Sequence, residues 1–322
     1  MKALERAWID ARARLRTLRG RTAGRAGLPA RIVLRLDDLD PPPSTELFPG
    51  AGGSTPRNAP RPDGEPPAAD ALVAALAQAG AVPVHLVARA THDDLVPLAR
   101  LAMRLDAPVH IRTSASGLDA AQAAALLDAR PVEIHVRVAG TSDAVQGAVL
   151  GEDVATGIAA LTHLMRARHA AGAATRILAA WVPSEDGAPQ LRGVFDQARR
   201  AGLDGVVIVA PWTGMPVGDA LRAALAWADT QHAPFHATPP AVRAWLADMT
   251  ADGAPGLPGR RGACPIADVQ WDLSTPGCVR ACPFQPDPAP LDAESWHPAL
   301  AAHRDRVRSC GRRCAHPDVP AP

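Results

Sequence analysis

No cysteine precedes Cys264 in this 322-residue chain, tyrosine is missing altogether, and neither sign of charge is in excess. Each absence excludes something. Lys and Arg number 34 against 33 Asp and Glu, a formal net charge of +1, so charge balance alone argues for neither nucleic acid, nor an anionic membrane surface, nor an acidic tail. No run of about 18 apolar residues occurs, which argues against a membrane-spanning helix. The charged start from Met1 to Arg6 has no apolar stretch behind it and does not read as a secretory leader. The expected location is therefore the cytoplasm. The missing tyrosine, beside abundant alanine and 33 prolines, reads as base composition rather than function. The length suits one large α/β domain or a domain with a smaller appendage.

What is present is concentrated at the C-terminal end. All five cysteines fall as Cys264-x13-Cys278-x3-Cys282-x27-Cys310-x3-Cys314. In a reducing compartment such a group reads as metal ligands before disulfides, and five is odd for complete pairing. Thiolates suit iron–sulfur clusters and zinc alike, so both stay open beside unligated thiols. A zinc ribbon favours two Cys-x2-Cys pairs, whereas both close pairs here are x3. The long gap between the pairs adds little loop-closure entropy and does not argue against a shared site. Arg308, Arg312 and Arg313 would favour thiolate, or are simply solvated. His316 is an extra ligand or a solvated tail residue.

Ahead of the cysteines the chain alternates strand and helix. Leu4, Trp8, Ala11, Leu15 and Leu18 mark a helix with an arginine-rich outer face. Ala30–Leu36 is apolar and β-branched at its centre and predicts the first strand. A Pro-, Gly- and Ser-rich loop follows from Asp37 to Pro67. Helices are then expected over 68–80, 93–105, 119–128, 152–171, 190–201 and 219–229. Strands are expected over 82–87, 109–113, 132–138, 176–182 and 205–209, and a further helix over 239–249. This rhythm predicts α/β architecture, a partial (β/α)6 TIM-like barrel with ligands at the C-terminal strand ends. An open doubly wound sheet is the alternative, but no Gly-x-Gly-x-x-Gly follows the first strand. A Gly/Pro-rich linker from Asp252 to Gly262 sets the division: an N-terminal helix in 1–29, the barrel in 30–251, and a cysteine-rich region in 252–322.

Polar residues within the strands mark the lumen. Glu133, His135 and Arg137 share one strand face, pointing inward if Ile134, Val136 and Val138 meet the helices. His110 and His135 lie on neighbouring strands, with His85 and His92 nearby. A metal or acid–base pair is one reading. Hydrogen-bonded barrel histidines are the other, preferred because the spacing fixes no carboxylate partner. Asp37, Asp38 and Asp40 at the first strand end could bind a hard cation or cap and solvate the loop. Pro211-Trp212-Thr213-Gly214-Met215 falls where barrel active sites form, or plugs the barrel.

Several of these stretches resemble the radical S-adenosylmethionine (radical SAM) family. His85-Leu86-Val87-Ala88-Arg89-Ala90-Thr91-His92-Asp93-Asp94-Leu95, then Val109-His110-Ile111-Arg112-Thr113-Ser114-Ala115, resembles that family's second strand, its GGEP loop, the next helix and the strand ending in a TNG turn. Ile134–Gly140 resembles the following strand and Gly157–His169 the helix after it, so that the likeness covers residues 30–215. Pro276-Gly277-Cys278-Val279-Arg280-Ala281-Cys282, Trp296, and Arg306-Val307-Arg308-Ser309-Cys310-Gly311-Arg312-Arg313-Cys314 resemble a SPASM or Twitch module. That likeness implies an auxiliary 4Fe–4S cluster on Cys264, Cys282, Cys310 and Cys314, with Cys278 spare or substituting, and zinc as the alternative metal.

The departures from the family are specific. Its catalytic cluster is held by a Cys-x3-Cys-x2-Cys loop directly after the first strand, and Asp37–Pro67 contains no cysteine. The GGEP loop, which meets the amino group of S-adenosylmethionine, is replaced by Ala88-Arg89-Ala90-Thr91. The expectation is a degenerate radical-SAM-like protein that no longer cleaves S-adenosylmethionine, a substrate-binding or electron-relaying partner in peptide or small-molecule modification. An intact radical-SAM enzyme or a peptide substrate is the expected partner. A barrel enzyme working without cofactor cleavage and a zinc-stabilised binding protein are the alternatives.

Overall fold

The computed structural model describes residues 31–37, 68–209, 218–231, 236–237, 270–273, 278–279 and 289–290. The helix expected near the N-terminus, Asp38 and Asp40, Pro211–Met215, the helix over 239–249, the linker from Asp252, Cys264, Cys282, Cys310, Cys314 and His316 lie outside them. Cys278 lies within them, in a short strand.

The first six strands are β1 (Arg31–Arg35), β2 (Val84–Val87), β3 (Val109–Thr113), β4 (Glu133–Val138), β5 (Arg176–Trp181) and β6 (Gly205–Ile208). The helices are α1 (Ala68–Ala79), α2 (Leu95–Arg104), α3 (Ala120–Asp128), α4 (Asp143–Leu150), α5 (Val154–Ala171), α6 (Leu191–Arg200) and α7 (Asp219–Asp229). Two short strands, β7 (His236–Ala237) and β8 (Gln270–Asp272), complete one parallel sheet in the order β7-β6-β5-β4-β3-β2-β1-β8. A separate antiparallel pair joins β9 (Cys278–Val279) to β10 (Ala289–Pro290). The order is linear, with β7 and β8 at its two ends, so the sheet is an open, partial TIM-like barrel, as the alternating pattern implies.

Capping chemistry fixes the helix ends. Asp119 accepts the Gln122 N–H at 2.8 Å ahead of α3, and Asp153 accepts the Thr156 N–H at 2.6 Å ahead of α5. Gly172 ends α5 at φ 58°, where a side chain would be strained. Several features depart from the expected elements, β7 and the β9–β10 pair among them. The stretch between β4 and α5 contains the extra helix α4, and β8 places residues 270–272 against β1.

Each of the six main strands turns one face to the helices. Ile32 and Leu34, Leu86, Ile111, Ile134 and Val136, Ile177 and Trp181, and Ile208 are buried in one continuous core with Leu72, Leu95, Leu126, Leu164 and Phe195 from the helices. Burial of this apolar surface is the main force holding the layers together. Trp181 is fully buried and its Nε1–H donates to the Ala139 carbonyl at 2.8 Å, so the indole meets no unsatisfied polar group. Trp271 of β8 is likewise fully buried in this core. The alternate residues face the other way, into the lumen.

Candidate functional site in the barrel lumen

Register builds the lumen in layers. On the lower layer Val33 pairs with His85, His85 with His110, His110 with Glu133, and Glu133 with Arg176. The same period of two puts Arg35, Val87, Arg112, His135 and Leu178 on the layer above, and Arg137 one step further toward the strand ends. Val33 and Val87 touch across β1 and β2, forming a small apolar patch apart from the main core.

The polar side chains of the lower layer are linked in a row, joined by His135 from the layer above. The His85 and His110 rings stack with centroids 4.7 Å apart and planes 6° from parallel. His110 Nδ1 lies 3.4 Å from Glu133 Oε2, His135 Nε2 lies 3.0 Å from the same oxygen, and Arg176 Nη1 donates to Oε1 at 2.7 Å. Burial acts to raise the Glu133 carboxyl, but hydrogen bonds to His110 and His135, with their charge, outweigh it and hold the group well below the ordinary value of 4.5. For His135, burial is the largest influence and moves the imidazole below 6.5. Glu133 pulls upward, while the Arg112 and His110 charges push further down. Glu133 is therefore an anion and His135 a neutral ring whose Nε2–H donates to it. A carboxylate flanked by two imidazoles can orient a ring and take up charge, the elementary requirements of acid–base work.

Three arginines stand above: Arg35 and Arg112 on the upper layer and Arg137 one step beyond it. Arg35 is buried, Arg112 and Arg137 are half-buried, and the Nε atoms of all three are shielded from solvent.

Side chains pin the loops around the mouth. The Arg89 N–H donates to Asp37 Oδ2 at 2.6 Å, the Ala90 N–H to Ser114 Oγ at 3.3 Å, and Gln122 Nε2 to the Ala90 carbonyl. Ala88–Thr91 thus spends backbone groups on the protein's own side chains. Thr91 also crowds Gly117, whose φ is +75° and where an added Cβ would lie 2.1 Å from Thr91 Cγ2. Next to β4, Gln146 Oε1 accepts the Ala139 N–H at 2.8 Å, and Gln190 Oε1 accepts those of Thr141 and Ser142 at 2.6 and 3.0 Å. Glu185 accepts the Gly218 N–H, tying the β5 loop to the start of α7.

The structure brings together His85, His110, Glu133 and His135, and supplies Glu133 as the carboxylate the spacing left unassigned. It leaves His92 apart: that ring lies past the strand end, where Nδ1 accepts the Asp94 N–H at 3.2 Å. Asp37 pins the Arg89 backbone. Arg176 was missed, though its place at the start of β5, in register with Glu133, follows once the pairing is known. Among the described residues no group of three or more His, Cys, Asp or Glu side chains is arranged to hold a metal ion. Among them, too, no helix is long and apolar enough to cross a membrane.

The open parallel barrel with its layered, polar lumen can be compared with solved structures. No family model and no curated protein matches the sequence. Streptococcus suis SuiB bound to precursor peptide SuiA is similar with a TM-score of 0.61 and 11% identity, over 88% of this chain and 67% of that one. SuiB bound to S-adenosylmethionine gives 0.58 at 11% identity, over 88% and 66%. Native anSMEcpe with bound AdoMet and Cp18Cys peptide gives 0.50 at 12% identity, over 88% and 83%. The chain spans about two thirds of the SuiB length. At such identity the likeness is one of fold, the open, partial TIM-like barrel.

Proposed function

We propose that this chain is a degenerate radical-SAM-like protein that binds a peptide at the barrel mouth and performs no radical chemistry of its own. Its role is that of a substrate-binding or electron-relaying partner, working with an intact radical-SAM enzyme or on a peptide substrate. The single observation that carries the reading is a conflict between fold and sequence. The fold is that of SuiB and anSMEcpe, both solved with peptides bound, yet no cysteine lies between β1 and α1. The Ala88–Thr91 loop supports the same reading, since the Ala90 carbonyl and the Arg89 and Ala90 N–H groups are engaged by Gln122, Asp37 and Ser114. Those contacts leave less of that loop to meet the amino group of S-adenosylmethionine.

The division into 1–29, 30–251 and 252–322 belongs to this proposal. In the last part Cys264, Cys282, Cys310 and Cys314 would hold one auxiliary 4Fe–4S cluster, with Cys278 as alternative ligand. Five thiols in a chain read as cytoplasmic fit such a group by donor chemistry. When bound, the cluster would supply a one-electron carrier or a structural staple. Zinc is the alternative metal. Anaerobic purification with iron, sulfide and zinc analysis tests the assignment. Iron and labile sulfide are expected, and zinc without sulfide would sink it.

A second reading, a barrel enzyme that does not cleave S-adenosylmethionine, is favoured by one observation: Glu133 sits between two imidazoles. Turnover of a bound peptide that is lost in Glu133→Gln while peptide affinity is kept would select it.

A further inference from the structure

We propose that a cavity on the outer side of the sheet, beneath α5 and α6, is a binding site for a small uncharged molecule, an apolar chain that carries one carbonyl acceptor. The site lies on the opposite face of the sheet from the lumen and is independent of the peptide reading above.

The cavity has a volume of about 340 Å³, within the range of small-molecule sites, about 300–1,000 Å³. Val138 of β4 and Ala179 of β5, both on the strand face that meets the helices, form its floor. Leu161 of α5, Val194 of α6 and Leu203 add apolar walls. The lining runs from Gly140, just past the end of β4, to Leu203, just before the start of β6. In a parallel sheet those are opposite ends, so the space follows the strands and suits a chain better than a compact ring. Ile158, 51% exposed, stands at its open side, where a bound chain would cover it.

One end of this apolar space holds a buried hydrogen-bond donor. Gln146 is 1% exposed, and its Oε1 accepts the Ala139 N–H at 2.8 Å and the Gly140 N–H at 3.4 Å. Those two donors fix the amide, because the flipped arrangement would set N–H against N–H. Nε2 is thereby turned toward Gly157, another residue of the lining, on which an added Cβ would lie 3.6 Å from it. Among the described residues Nε2 meets no acceptor. A buried donor left unmet costs stability, and the carbonyl of a molecule lying along the apolar walls would satisfy it.

Gly157 points the same way. It sits inside α5 in ordinary helical backbone, where glycine weakens a helix relative to alanine. The 3.6 Å separation is an ordinary contact, so an alanine would fit. What the glycine does is keep the cavity open beside Gln146. Charge selects against an ionised ligand. Among the lining residues Arg200 alone is ionisable; it is exposed, and its Nε donates to the Asp196 carbonyl at 3.3 Å. A carboxylate at Gln146 would face a neutral amide in apolar surroundings, with its lost hydration uncompensated.

The test uses the full chain and two volatile probes, methyl hexyl ketone and octane, with headspace gas chromatography reading the free concentration of each. The protein should take up one equivalent of the ketone. In Gly157→Leu, whose side chain fills the end at Gln146, affinity for both probes should fall about tenfold or more. In Gln146→Met, affinity for the ketone should fall about fivefold, the size of one neutral hydrogen bond, while that for octane stays within about twofold. Should Gln146→Met fail to fold, because Ala139 and Gly140 lose their acceptor, the native protein decides. The infrared carbonyl stretch of the bound ketone should then lie below its value in hexane, and an unshifted stretch overturns the inference. Uptake of octane without the ketone overturns it, as does uptake of neither. Ketone binding unaltered in Gly157→Leu places the ketone elsewhere and overturns it too. Octanoate that binds more tightly than the ketone overturns the choice of an uncharged ligand and with it the inference.

Discussion

Glu133 Oε2 lies 3.0 Å from Nε2 of His135, two residues further along the same strand, and 3.4 Å from Nδ1 of His110 on the strand beside it. One carboxylate therefore joins β3 to β4, and through Oε1 and Arg176 it reaches β5 as well. On their polar face that anion links the three central strands. On the opposite face they are held by apolar packing.

Replacing that anion tests its weight. Glu133→Gln keeps the shape and removes the charge, leaving Arg176 without its carboxylate. Breaking a fully buried pair costs about 3–5 kcal/mol. Because the Glu133 side chain is 18% exposed and Arg176 32%, a loss nearer about 2 kcal/mol is expected, since water screens part of the change. Urea denaturation at neutral pH measures it, and a change within experimental error would show that the pair carries no net stability.

Acidification should weaken the fold in two steps. His135 is depressed below 6.5 in the folded chain, so the unfolded chain takes up its proton first and stability declines as pH falls through that value. Glu133 is depressed below 4.5, so its contribution is complete above that pH and is lost as the pH drops toward the folded-state value. Urea midpoints at about pH 7.5 and about pH 5.5 should fall between the two, and by less in His135→Gln. An NMR titration placing His135 above 6.5 would contradict the assignment.

Trp271 tests how far the barrel extends. It is fully buried, on a strand from the part of the chain that carries the cysteines, and β8 pairs with β1 through Arg31, Ile32 and Val33. Trp271→Ala should lower the stability of the barrel itself by about 3–5 kcal/mol, the usual cost of emptying a large aromatic site. A truncated chain ending at residue 251 should be destabilised too, since it exposes the β1 edge. Unchanged unfolding of both variants would mean that β8 contributes nothing to the core.

Much of the barrel was legible because apolar period and helix stops agree along the chain. β1 to β6, and the helices α1 to α3 and α5 to α7, fall within a couple of residues of their expected bounds. What escaped did so for physical reasons. α4 is a single eight-residue helix with Gly147 in its interior, where propensity is weakest. β7 and β8 are two and three residues long, and such strands exist only through distant pairing. The site was half legible. Alternation placed Glu133, His135 and Arg137 on one face, but alternation does not give register. His110 lies opposite Glu133, and His135 lies opposite Arg112, so the link between the two histidines runs through a carboxylate that spacing alone could not assign.

The cysteine assignment has its own test within the chain. Cys264→Ala/Cys310→Ala should lose the iron and sulfide bound by the native protein, while Cys278→Ala keeps most of both. A reversed pattern would make Cys278 a ligand and release one of the other four.

The proposal is that this chain performs no radical chemistry of its own. Reductive cleavage of S-adenosylmethionine by the anaerobically reconstituted, chemically reduced protein measures this directly. The account predicts no turnover above the Cys264→Ala/Cys310→Ala control. Cleavage clearly above that control would contradict it.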